Sequence, residues 1–203
     1  MPVLLRVCSG RFPVFLSLVF LFCSCLLPGR AAAFTANSLG DFEGVAVMEV
    51  SGVYDALVDG QWNHEPRKAI AREFYRSHGD DYDFLVIFTN FDFLLPEADA
   101  AAFFTPVQNR VLGIGLELFD YSPEYSPDGS GLERLQGTID MANLSHHVVD
   151  PADPGFETTL KILSHETGHR WGAYVHFRDE NGADSNALLG IADAHWSFLL
   201  NSE

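Results

Sequence analysis

All three cysteines of the chain, Cys8, Cys23 and Cys25, lie before residue 26. No disulfide can therefore staple whatever residues 34–203 fold into, and stability has to come from a buried apolar core. That length suffices for one domain burying most of its apolar surface. The cysteine-bearing stretch itself has the composition of an export signal. Arg6 and Arg11 give a positive start, Phe12 to Leu27 form a short apolar run, and Ala31-Ala32-Ala33 offers the small residues that signal peptidase accepts. The run contains Pro13 and Ser17 and falls short of the ~20 apolar residues of a spanning helix. The expectation is a signal peptide over residues 1–33 and a mature domain over 34–203 that is secreted, extracellular or periplasmic, with no stable membrane association after cleavage.

Charge narrows the partners. The chain has 12 Lys+Arg against 28 Asp+Glu, a formal net charge of −16, and Arg6, Arg11 and Arg30 leave with the signal. Such a surface repels nucleic acid and anionic membrane, so neither is expected as a partner. Two acidic clusters, Asp80-Asp81-Asp83 and Asp150-Pro151-Ala152-Asp153, have a calcium site's composition but lack an EF-hand loop's spacing.

Along the mature chain, Phe34 to Glu43 reads as a polar lead. Val45 to Val50, β-branched and bounded by Gly44 and Gly52, predicts a strand. Asn63-His64-Glu65-Pro66 resembles a helix start, and Ile70, Phe74 and Tyr75 continue at helical spacing toward Gly79. Phe84-Leu85-Val86-Ile87-Phe88 is an unbroken apolar run, the pattern of a central strand buried on both faces. Val111 to Phe119 and Leu135 to Met141 predict further strands, with the Ser126 to Gly131 stretch as a surface loop. Phe156, Leu160, Leu163 and Trp171 then repeat at helical spacing, predicting a helix to about Ala173. The fold class is α+β.

That last helix carries His165-Glu166-Thr167-Gly168-His169. Two histidines four apart project from one face, one turn above the other, so both imidazoles reach a single ion. Zinc accepts imidazole nitrogen at about 2.0–2.1 Å, and an open tetrahedral site leaves a place for water. Glu166, next to the first histidine, stands where it can take that water's proton, which assigns it as general base.

His165 to Gly172 resembles the HExxHxxG signature of the zincin metallopeptidases, with the glycine at the metzincin spacing. The resemblance implies Zn2+ as cofactor, His165 and His169 as ligands, Glu166 as catalytic base and a peptide or protein as substrate. It also implies a zincin-like mixed sheet with a backing helix and an active-site helix. The edge strand of that sheet, taken as Gly137 to Asn143, would pair with an extended peptide. The chain departs from metzincins in two respects. Val175 stands where their third histidine falls, and no methionine follows the motif.

The third ligand is open among His195, His176 and an acid such as Asp193 or Glu180. On an unbroken helix His176 would lie about 10 Å along the axis from His169, out of reach. His195 follows a polar loop, Arg178 to Asn186, and an apolar return that can bring it back, so it is the assignment carried forward. His146-His147 reads as a loop or strand-end pair, and His64 and His78 as groups flanking the first helix. The aromatic segment Phe88 to Phe93 reads as core. The apolar text running to Glu203 reads as part of a longer chain. The reading is a secreted zinc metallopeptidase; its alternative is a catalytically inactive zincin-like binding module that keeps structural zinc.

Overall fold

A computed structural model describes residues 33–172, 174–190, 193 and 195. All belong to one unit that begins at Ala33. The expected signal segment lies, apart from Ala33, outside the described residues. Among those described, no helix is long and apolar enough to cross a membrane.

The chain opens with β1 (Thr35–Phe42) and β2 (Val45–Ser51), an antiparallel hairpin whose two-residue turn puts Glu43 and Gly44 at positive φ, 51° and 85°. This is the turn geometry that matches strand twist. The stretch expected to be a polar lead is thus a strand, because a turn signal downstream supplies its partner. Short strands β3 (Leu57–Val58) and β4 (Gln61–Trp62) lead into α1 (Glu65–Phe74). Pro66 sits at the start of α1, Glu65 in its first turn and Arg72 in its last, each suited to the helix dipole. His64 takes the cap position without a side-chain bond and stacks on Trp62, while His78 stacks on Phe74.

Next come β5 (Phe84–Thr89), β6 (Phe103–Pro106), β7 (Gln108–Asn109), β8 (Phe119–Asp120) and β9 (Gly137–Asn143). They are followed by α2 (Phe156–Gly168), β10 (Phe177–Arg178) and β11 (Asp184–Ser185). The principal sheet has the order β5-β9-β6, with β9 parallel to β5 and antiparallel to β6. Leu85 of β5 and Leu135, just before β9, cluster with Ala71 of α1 and with Tyr75, the residue that caps it. Ile139 and Met141, with Phe84 and Phe104, meet Ile162 and Leu163 of α2 in a second cluster. The architecture is α+β, with small sheets and two α-helices among the described residues.

Two strands exchange the places the sequence suggests. β5 is an edge strand, leaving Val86 43% and Phe88 39% exposed, despite its unbroken apolar run. β9, which the zincin resemblance implies as the edge, is central and buried from Gly137 to Ala142. Its one charged side chain is satisfied inside the protein. Asp140 Oδ2 accepts from Arg67 Nε and Nη2 at 3.0 and 2.8 Å and from the Tyr54 hydroxyl at 2.8 Å. The strand expected over Val111 to Phe119 shrinks to β8, since Gly113 and Gly115 take positive φ and Asn109 Nδ2 holds the loop through the carbonyls of Leu116 and Glu117.

Gly137 has no room for a side chain. A Cβ there would lie 2.1 Å from Phe104 Cε2 and 2.9 Å from the Thr105 carbonyl oxygen. Gly137→Ala is expected to cost about 1–3 kcal/mol through overpacking, read as a lower midpoint in urea at an unchanged m-value.

Candidate metal centre

α2 ends at Gly168, five residues before the expected end. Its last turn tightens, with His169 N donating to Glu166 O, Arg170 N to Thr167 O and Trp171 N to Gly168 O. Bonds to the third residue back are the usual way a helix closes its final carbonyls. Arg170, buried just past His169, fixes this end: its Nε and Nη2 reach Gln136 Oε1 at 3.0 and 2.8 Å, and its Nη1 lies 3.3 Å from Asn109 Oδ1. The helix that carries the motif is thereby tied to β7 and to the residue just before β9.

His165 and His169 stand one turn apart with Nε2 atoms 3.2 Å from each other. His195 reaches them from a closed loop, in which Asn186 Nδ2 donates to Asp193 Oδ1 and Gly190 N donates to the carbonyl of His195 itself. Its Nε2 lies 3.3 Å from that of His165. The three imidazoles present ligand atoms that all fall within 4.8 Å of one another. Nitrogens bound at 2.0–2.1 Å to a tetrahedral ion stand about 3.3–3.4 Å apart, so the donor set fits zinc. Protons alone fit it less well. An imidazole nitrogen offers one proton or one lone pair, and His165 Nε2 faces two other ring nitrogens. Partial burial, and then His195, lower the pKa of His165 and favour the neutral, ligating imidazole.

Among the described residues this is the sole group of three or more such side chains suited to a metal ion. His176 is exposed, just before β10, and lies outside the group, as do Asp193 and Glu180. His146 closes a short 3-10 turn, and His147 Nε2 contacts the Met141 carbonyl; neither enters the cluster.

Glu166 is buried and lies on the same groove as the three histidines. Burial raises its pKa, against the opposing pull of His195 and of the Phe104 backbone N–H, so it holds a proton more strongly than an exposed glutamate does. The groove encloses about 690 Å³, with the Pro96 to Pro106 segment on one side and the exposed face of α2 on the other. Trp62, Tyr174 and Lys161 complete the lining. The hydroxyl of Tyr174 donates to the His169 carbonyl, bracing the end of the motif.

The Pro96 to Pro106 wall was missed by reading the sequence, although Ala102-Phe103-Phe104-Thr105 ahead of a proline is an edge-strand signal. Comparison with protein-family models, with curated proteins and with solved structures gives no match to this chain. The chemistry is accordingly read from the site's own geometry.

Proposed function

We propose that this protein is an exported zinc-dependent peptidase with a zincin-like arrangement of sheet and motif helix. The observation that carries the proposal is the convergence of His165, His169 and His195 beside a buried glutamate on one open groove. His165, His169 and His195 would hold the ion. Zinc in that position supplies Lewis acidity, which acidifies water and polarises a carbonyl oxygen. Glu166 takes up the proton released as the peptide carbonyl is attacked, and returns it to the leaving amine. Its hydrogen bond from the Phe104 backbone N–H ties the base to β6. β6 is the sheet edge beside the groove, and Pro106 at its end has no N–H to offer. An extended peptide laid along β6 would meet carbonyl acceptors there, since the Phe104 N–H is already given to Glu166. The edge assigned to the substrate thus moves from Gly137–Asn143 to β6.

The isolated protein should contain about one zinc, and excess chelator should abolish cleavage of a broad peptide library. Proteolysis that continued in chelator would overturn the assignment. Stoichiometric zinc with no turnover of any library member would instead define a metal-bearing binding module. Within the centre, His195→Ala should weaken zinc binding by more than about 100-fold, because loss of outer-shell partners alone costs 10–100-fold. His176→Ala should leave affinity unchanged. Competition titration with a zinc indicator measures both variants.

A further inference from the structure

His165 and His169 differ in how firmly the backbone holds them. His165 lies within α2, whereas His169 is the residue that caps its C-terminal end. Helix ends open at little free-energy cost. A ligand in place only part of the time weakens the apparent affinity for an ion by that fraction. A preformed site therefore needs His169 held by contacts other than the helix's own.

Arg170 makes such contacts. It is 4% exposed, and its guanidinium donates to Gln136 Oε1 through Nε and Nη2, at 3.0 and 2.8 Å, and to Asn109 Oδ1 through Nη1 at 3.3 Å. Both acceptors are neutral amides, whereas Arg67, the other buried arginine among the described residues, faces the carboxylate of Asp140. Burying a cation against neutral partners has a desolvation cost that an apolar side chain of similar length avoids. What the guanidinium adds is direction, because its planar fork fixes several N–H groups at once. The backbone so fixed continues directly from His169, and Arg170 N donates to Thr167 O in the tightened last turn.

Asn109 carries the clamp further. It is 1% exposed; its Oδ1 also accepts from Val111 N at 3.1 Å, and its Nδ2 donates to the carbonyls of Leu116 and Glu117. The loop held in this way presses on Tyr174. A Cβ at Gly115 would lie 2.1 Å from the Tyr174 carbonyl oxygen, and the Tyr174 hydroxyl donates to the carbonyl of His169. Two braces thus reach the end of the motif from one footing, residues 109–118.

We propose that Arg170 is the positioning residue of the metal centre: anchored on Gln136 and Asn109, it holds His169 in register with His165 before any ion arrives. The inference rests on reading the three histidines as a zinc centre. It adds a residue that does not line the groove and acts through its neighbour in the chain.

The test uses the full exported chain, stripped of metal and titrated with zinc against a fluorescent indicator. Arg170→Met/Gln136→Met removes the fork together with its main acceptor and leaves no charge unpaired. Zinc should bind this variant about 10–100-fold more weakly, while the urea midpoint of its metal-free form should fall less than that of Asp140→Ala. Asp140→Ala disturbs a buried ion pair elsewhere and should keep wild-type zinc affinity. Arg170→Lys keeps the charge and gives up the fork, so it too should lose at least tenfold in affinity, and it decides the matter if the double variant fails to fold. Wild-type zinc affinity in either folded variant, or an equal loss of affinity in Asp140→Ala, would overturn the proposal. A wild-type protein that takes up no zinc would instead overturn the reading of the centre itself.

Discussion

In Glu166→Gln, peptide hydrolysis is expected to fall by about 10²–10⁴-fold while zinc content stays at the wild-type level. The amide keeps the size of the carboxylate and can still accept from the Phe104 backbone N–H, so the α2–β6 junction is preserved. What it lacks is the ability to take up a proton. The three imidazoles are untouched, and their nitrogens stay within 4.8 Å of one another. This split between metal and rate separates the base from the ligands, since His195→Ala should lose both. Single-turnover kinetics beside metal analysis make the measurement. A glutamine variant that cleaves at the wild-type rate would remove Glu166 from the chemistry, and one that loses its zinc would recast Glu166 as a support for the ligands.

Asp140→Ala is expected to cost about 3–5 kcal/mol of folding stability, against a total of roughly 5–15 kcal/mol for a typical domain. Arg67 and Asp140 are 1% and 0% exposed, and Asp140 gathers the guanidinium, the Tyr54 hydroxyl and the Ala142 backbone N–H. Removing the carboxylate strands a buried guanidinium, packed 4.2 Å from the Tyr54 ring and 4.8 Å from that of Phe103. The double variant Arg67→Met/Asp140→Leu should recover most of the loss, because it leaves no charge unpaired. Chemical denaturation of the two singles and the double closes the cycle. A single-variant loss below about 1 kcal/mol would mean that the pair is not what locks α1 to β9. The candidate metal centre lies on α2 and at His195, away from this pair, so zinc stoichiometry of the folded variants should not change.

How far the sequence could be read follows from the range of the interactions involved. His165, Glu166 and His169 are legible because one helical turn sets their geometry, and a period in the text reports it directly. α1, β2 and α2 emerge for the same reason. Exchanging the central and edge strands was a failure of a different kind. β9 looks half-polar, but Asp140 is neutralised by Arg67, 73 positions away, and no local pattern reveals such a partner. β5 looks fully apolar, yet the strand order leaves part of it at an edge. Residues 111–118 carry strand-like aliphatics, and the positive φ of Gly113 and Gly115 turns them into a loop. The groove wall built by Phe103 and Phe104 depends on packing of β6 beside α2, which has no signature in either segment alone.

His195 lies 30 positions beyond His165, on a loop closed by its own backbone and side-chain bonds. A zinc ion held by both would fasten that distant loop to a helix whose own two ligands need no loop at all. The ion would then be the one covalent-strength tie across the fold in a stretch of chain without cysteine, restricting the unfolded ensemble as a disulfide does in other proteins. Metal capture and the anchoring of His195 would become a single event, and protease resistance of the chain between Asn186 and Gly190 would report it.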